Sequence, residues 1–138
     1  MVENLWQQAI DSKRVFVAMW FDSSMDKYYN EGIKPAIEKA GYVPVKIVLQ
    51  EFNGKICDEI IAEIKRCKFL ISDFSGQRGG VYFEAGYAMG QGKAVIFAVK
   101  EDEVKDLHFD TRQYNHIVYD SPEDLCKKLY NRINATIV

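Results

Sequence analysis

Five runs of apolar residues punctuate the chain: Arg14–Trp20 (RVFVAMW), Val43–Leu49 (VPVKIVL), Lys68–Asp73 (KFLISD), Ala94–Val99 (AVIFAV) and the shorter His116–Asp120 (HIVYD). Each is apolar almost throughout rather than alternating, which predicts strands buried on both faces. Between them the apolar residues recur every three or four positions. Met25–Ala40 puts Tyr28, Tyr29, Ile33, Ile37 and Ala40 near one helical face. Pro35 within that helix predicts a kink or a late start, and Gly41 a stop. Ile56–Cys67 carries Ile56, Ile60, Ile61, Ile64 and Cys67 on one stripe. Gly80–Gly90 predicts a short third helix. Ser121–Asn134 opens with "SPED": a capping serine, a proline at the first helical position, and two acids at the positive end of the dipole. Residues 1–12 read as a helical extension, with a helix over Glu3–Asp11.

Strands alternating with helices predict a parallel sheet covered on both faces. Five strands in one domain spanning residues 1–138 predict an α/β, doubly wound, flavodoxin-like fold in the order 2-1-3-4-5. Such sheets bind ligands beyond the carboxyl ends of their strands. The expected site therefore lies in the loops after Trp20, Leu49, Asp73 and Val99.

Composition narrows the function classes. The 138 residues are 48% hydrophobic and 28% charged, the balance of a globular protein. A net charge of -2 implies no broad cationic field, so a nucleic acid polymer is not an expected partner. The apolar runs are too short to cross a bilayer, and the N-terminus lacks a signal-peptide core. Cys57, Cys67 and Cys126 are odd in number and lack CxxC spacing. They read as reduced thiols of a cytoplasmic protein rather than a disulfide framework or zinc site. No metal-ligand spacing and no cofactor motif is present, so neither is expected.

Candidate chemistry gathers at two of the predicted loops. The first, "MWFDSSMD", contains no glycine and is not a phosphate loop. Met19, Trp20, Phe21 and Asp22 are substrate-binding candidates. Trp20 and Phe21 would either wall a flat ring or pack under the next helix, and Asp22 or Ser23 would cap that helix. The second, "DFSGQRGGVYFEAG", offers Asp73, Ser75, Gly76, Arg78, Gly79 and Gly80, with Glu84 just beyond. Glycines let the backbone bend and let a ligand approach closely. Glu84 is expected in about the first helical turn, where free N–H groups and the dipole would hold its pKa low. An ionised carboxylate there can stabilise or attack an oxocarbenium-like carbon, or can merely complement the dipole. Asp73 either takes part or orders its loop through Asx hydrogen bonds. Arg78 would meet a phosphate or carboxylate, or stay solvated. His108 and His116 are conceivable acid/base groups, although a histidine at a strand start is more often structural.

The stretch "GGVYFEAGYAMGQGKAVIFAVKED" resembles the central motif of the nucleoside 2-deoxyribosyltransferase superfamily, which includes the nucleotide N-glycosidases and lies near TIR-like domains. That motif is a glycine loop, then E-x-G-x-A on a helix, then G-K and a strand: here Glu84, Gly86, Ala88, Gly92 and Lys93. The wider pattern matches over about Val15–Tyr119. The resemblance implies a nucleoside, nucleotide or NAD as small-molecule substrate, and Glu84 as the nucleophile that attacks the anomeric carbon and releases the base. It also implies a homodimer or higher homo-oligomer in which a neighbouring subunit helps complete the pocket. The transferases carry an acid six residues before the glutamate, where this chain has Arg78. Their aspartate in the preceding helix aligns with Ile60, beside Asp58 and Glu59. Two alternatives stand beside the N-glycosidase or transferase reading: a TIR-like enzyme cleaving NAD or making a nucleotide signal, and a non-catalytic nucleotide-sensing module.

Overall fold

The computed structural model describes residues 10–47, 58–107 and 115–137. Five parallel strands form one sheet: β1 (Asp11–Ala18), β2 (Val43–Val45), β3 (Cys67–Asp73), β4 (Ala94–Lys100) and β5 (Ile117–Tyr119), in the order β2-β1-β3-β4-β5. This is the doubly wound, flavodoxin-like arrangement. Both outer strands are only three residues long, and β2 carries Pro44 at its centre. β1 already begins at Asp11, so no helix reaches that residue. The rest of the Glu3–Asp11 expectation, like Ile56 and Cys57 of the second helix, lies outside the described residues.

Among the described residues four helical segments cover the sheet, and a short 3₁₀ helix, Glu101–Asp106, follows β4. We call the segment from Ser23 to Lys39 α1; α2 is Asp58–Arg66, α3 Gly79–Gly90 and α4 Pro122–Thr136. α1 and α4 pack on one face, where Ile33, Ile37, Leu125, Leu129 and Ile133 meet Val15, Val17, Phe69 and Ile71. α2 and α3 pack on the other, with Ile60, Ile64, Val81, Ala85 and Ala88 against Phe16, Ala18, Leu70 and Phe97. Alternate residues of β1 and β3 thus serve opposite layers, which is why those strands read as continuous apolar runs.

The disturbance predicted at Pro35 takes a specific form. α1 starts as a 3₁₀ turn (Ser23–Met25), becomes α-helical, widens to a π-turn over Tyr29–Ile33, and resumes as α-helix over Lys34–Lys39. Lys34 N–H bonds to Tyr29 C=O, five residues back. Pro35 has no N–H to give, and its ring would crowd the carbonyl four residues earlier, so the ladder widens one turn ahead of it. The π-turn presents Gly32 to α4: a Cβ there would lie 3.0 Å from Leu125 Cδ2 and 3.1 Å from the Pro122 carbonyl oxygen.

Two polar ties fasten helices to this frame. Arg14 Nη2 of β1 donates to both carboxylate oxygens of Glu63 in α2, at 2.9 and 2.8 Å, and Arg66 Nη1 reaches the same carboxylate at 3.0 Å. At the start of α4, Ser121 Oγ accepts from Asp124 N–H at 3.0 Å, the cap expected from "SPED". Ser121→Ala should therefore cost about 1 kcal/mol in a denaturant titration, with an unchanged slope.

Candidate functional site

The carboxyl ends of β3, β4 and β5 are joined by one buried polar knot. Asp73, the last residue of β3, is 0% exposed. Its Oδ1 accepts from Ser75 N–H at 2.9 Å, and its Oδ2 accepts the hydroxyl proton of Tyr119 from β5. Ser75 Oγ in turn accepts from Lys100 N–H of β4 at 2.9 Å and lies 3.4 Å from the Tyr119 oxygen. Burial pushes the Asp73 pKa up, opposed by its bonds to Tyr119 and Ser75 and by the nearby charge of Lys100. The Tyr119 hydroxyl is also pushed up, by burial first and by Asp73 next, so it stays a donor. Asp73 thus forms the Asx turn that sequence left as one of two options. With both oxygens engaged beneath the loop, it acts on the site through loop position rather than by reaching the surface.

The loop above this knot is held in a left-handed conformation at two successive residues, Gly76 (φ 89°) and Gln77 (φ 52°). Gln77 N–H closes a turn onto the Phe74 carbonyl at 3.0 Å, and Gly76 N–H donates to Glu103 Oε1 at 2.7 Å. Glycine is required at position 76 for a second reason. A Cβ there would fall 2.4 Å from Cε3 of Trp20, whose ring lies on the loop. The Arg78 guanidinium sits 5.6 Å from the centre of that ring. Trp20 therefore packs on the loop between β3 and α3 rather than only beneath α1.

From this loop the chain enters α3. Val81, Ala85 and Ala88 are its buried residues. Glu84 lies three residues after Val81 and four before Ala88, so it shares their sheet-facing stripe and is half-buried. No acid occupies the first turn of α3. Glu84 stands five residues in, about 8 Å along the axis from Gly79. Among the described residues no hydrogen bond or ion pair reaches its carboxylate. Burial pushes its pKa up from 4.5 to about 7. This reverses the expectation of a first-turn carboxylate held low: the dipole's influence fades beyond the first turn, and desolvation decides. At the helix start, added Cβ atoms at Gly79 and Gly80 would meet nothing within 4 Å, so that approach is open.

The remaining candidates fall into three groups. Met19 is 3% exposed and belongs to the core, not to the ligand edge. Asp22 caps α1, accepting from Ser24 N–H at 3.1 Å and Ser24 Oγ–H at 2.6 Å. Those bonds lower its pKa, with smaller contributions from Lys100 and Arg78. Phe21, Arg78 and Gly79 are exposed. Of the transferases' second acidic position, Ile60 is buried in the core while Asp58 and Glu59 face outward. His116 packs against Phe97 and Phe74, with ring centroids 5.2 and 5.7 Å away, as a structural histidine would; His108 lies outside the described residues.

Sequence reasoning missed two cations at this edge. Lys46, just after β2, places Nζ 3.9 Å from the centre of the Tyr29 ring and 5.5 Å from that of Phe21. Lys100, ending β4, places Nζ 4.7 Å from the Tyr28 ring, which Lys27 also approaches at 5.2 Å. For Lys100 the signal was available, as the first charged residue after the apolar run Ala94–Val99; Lys46 lies inside the run Val43–Leu49, expected as one strand, whereas β2 ends at Val45.

No protein-family model matches the chain, and no curated protein matches it. Among solved structures it is similar to the CMP N-glycosidase BcmB of Clostridium botulinum, with a TM-score of 0.63 and 20% identity over 87% of this chain and 99% of that one. It also matches a diflavin flavoprotein A3 of Nostoc, with a TM-score of 0.47 and 16% identity over 93% of this chain and 99% of that one. The first likeness establishes a shared fold over nearly the whole of both chains. No helix among the described residues is long and apolar enough to cross a membrane.

Two outcomes follow. Gly76→Ala should destabilise the fold by more than about 1 kcal/mol, because the new methyl meets both a left-handed backbone and the Trp20 ring; thermal melting and tryptophan fluorescence would register both effects. The second concerns Glu84, whose folded pKa of about 7 exceeds its ordinary 4.5. Its neutral form favours folding, a contribution fully present below pH 4.5 and lost as pH rises through about 7. Glu84→Gln should thus melt near the parent at acid pH and above it at alkaline pH.

Proposed function

We propose that the protein is an N-glycosidase acting on a nucleoside or nucleotide, with Glu84 as its carboxylate nucleophile. One observation carries the reading: the half-buried carboxyl of the E-x-G-x-A motif has no protein partner and lies just behind the open, glycine-rich edge of the sheet. A carboxylate sealed in the core would have to be paired, whereas the Glu84 oxygens reach solvent. This one retains its full hydrogen-bonding capacity for a ligand. The fold shared with a CMP N-glycosidase supports the same reading.

In the proposed reaction, an oxygen of ionised Glu84 bonds to the anomeric carbon as the bond from that carbon to the base nitrogen breaks. The bonding pair leaves with the base, which takes up a proton. The resulting glycosyl ester is opened by water, giving the free sugar, or by a second base, giving a new nucleoside, and Glu84 returns as the carboxylate. Desolvation favours this chemistry, since a carboxylate without hydrogen bonds gains most when positive charge develops at the sugar carbon. Asp73 serves as a positioning residue: it fixes Ser75, and through it the course of the loop that leads to Glu84. Arg78, Trp20 and Phe21 line the approach.

The decisive assay is base release from a panel of nucleosides, nucleotides and NAD. Turnover should rise with pH through about 7 as Glu84 ionises. Glu84→Gln should lower it by about a hundredfold or more, roughly 3 kcal/mol of transition-state stabilisation, with ligand affinity changed much less. Full activity in that variant would exclude the mechanism. NAD cleavage without nucleotide cleavage would favour the TIR-like alternative, and binding without turnover a sensing module.

Self-association belongs to the same proposal. The outer face of α3 exposes Phe83 (58%) and Met89 (40%). Glu84 is the helix's single charged residue. A helix apolar on its solvent side is ordinarily covered. Sedimentation should show a dimer or larger species at micromolar concentration; monomer alone would count against it.

A further inference from the structure

We propose that Glu103 is a positioning residue for Glu84. From the 3₁₀ helix after β4, its carboxylate holds the left-handed turn at Gly76 and Gln77, and that turn holds the rotation of α3. The inference deepens the N-glycosidase reading, and the part of it that concerns turnover rests on that reading.

Four acids lie on this short helix: Glu101, Asp102, Glu103 and Asp106. Three are exposed, as acids on a surface helix ordinarily are, and Glu103 is half-buried. Its Oε1 accepts the Gly76 N–H at 2.7 Å, across 27 positions of the chain. A backbone N–H donating to a carboxylate is charge-assisted, about twice as strong as its neutral counterpart. No ion pair among the described residues competes for that carboxylate. The helix that carries it has a fixed seat. Leu107 at its end is buried, and Val104 packs beside it in the layer that holds Val81 and Ala85 of α3. Leu107 N–H closes onto the Val104 carbonyl at 3.2 Å. Just before the helix, Lys100 N–H donates to Ser75 Oγ at 2.9 Å. The segment after β3 is thus gripped from the end of β4 at two successive residues, Ser75 and Gly76.

The turn passes this hold on to α3. Gln77 is left-handed without being glycine, and its own side chain keeps it there. Nε2 donates to the Phe74 carbonyl at 3.3 Å, and Oε1 accepts the Tyr82 hydroxyl proton at 2.8 Å. Tyr82, in the first turn of α3, is pinned twice: at its hydroxyl by Gln77, and at its ring by Phe74, with centroids 4.5 Å apart. Two attachments on one side chain oppose rotation of the helix about its axis. Glu84 stands about 200° round that axis and about 3 Å along it from Tyr82, so any rotation at Tyr82 displaces its carboxyl. A misplacement of about 1 Å at a reacting group can cost about a hundredfold in rate. From Glu103 to Tyr82 the link is continuous: a hydrogen bond to Gly76, the peptide bond to Gln77, and a second hydrogen bond to Tyr82.

The hold on the loop and its effect on turnover are measured separately. Amide hydrogen exchange, followed by NMR on the full chain, reads the first without any substrate. Gly76 N–H should exchange at least about tenfold faster in E103A than in the parent, with Ile71 and Ile96 of the sheet unchanged. E103Q keeps an acceptor oxygen and should restore most of the protection, while E101A, at an exposed position of the same helix, should change nothing. Base release from the nucleoside, nucleotide and NAD panel reads the second, at a temperature where every variant is folded. E103A should lower kcat about tenfold with KM within about twofold, and E103Q should recover most of the loss. Q77A should also lower kcat, and the double variant should lose less than the product of the two single losses. Unchanged Gly76 exchange in E103A would overturn the proposal, as would parental turnover in E103A or equal losses in E103A and E101A. Losses in E103A and Q77A that simply multiply would overturn the route through Gln77. Faster Gly76 exchange in E103A, with no base released by the parent from any member of the panel, would remove the N-glycosidase reading and leave the hold on the loop standing.

Discussion

The hydrogen bonds of the Asp73 carboxylate organise everything at the carboxyl edge. A parallel sheet orders its strands through the backbone ladder, but the ladder says nothing about the loops beyond. Here a carboxylate, a phenol and a serine hydroxyl, all buried, tie the ends of β3, β4 and β5 to one another. Such a network is stable only when every member is satisfied, because each unpaired atom would carry its full desolvation cost. Its completeness sets where Ser75 lies, hence where Gly76 turns beneath Trp20, and hence where α3 begins.

Glu84 stands in contrast. Asp73 and Glu84 are both acids on one continuous segment, and burial raises both pKa values. Asp73 recovers part of that cost through hydrogen bonds to Tyr119 and Ser75. Glu84 recovers none from the described residues. A group left in that condition lowers the stability of the ionised protein, and sites of function are where such costs persist. The same uncompensated desolvation that weakens the fold at alkaline pH leaves the carboxylate able to respond to charge on a ligand.

The sheet was legible because its strands are apolar on both faces, and the helices because Ile60, Ile64, Leu125 and Leu129 keep helical spacing. The α3 loop was legible from its glycines and from the E-x-G-x-A pattern. The Glu84 pKa was not, because the sign of a shift depends on depth within a helix and on what surrounds the carboxyl, and neither follows from spacing. Met19 was misplaced because an apolar strand end resembles a ligand wall until packing decides. The π-turn lay hidden behind Pro35, which reports a disturbance and not its form. Lys100 was overlooked because a lysine after a strand ordinarily means solvent, and Lys46 because it lay inside a run read as one strand; only the rings of Tyr28 and Tyr29, brought close by the fold of α1, mark them as held in place.

The sheet's two borders have a consequence for the protein's life in a crowded solution. A sheet margin is an open row of amide and carbonyl groups, able to recruit a strand from any passing chain. Among the described residues each outer strand is only three residues long, and at β2 the middle position is Pro44, which has no amide hydrogen. So little template is offered that a foreign strand would gain few bonds in exchange for its ordering entropy. The three long, hydrophobic strands most prone to assemble with copies of themselves are the interior ones, β1, β3 and β4. The strand order thus keeps much of the backbone of these segments paired once folding is complete, and leaves their full hazard to the unfolded chain.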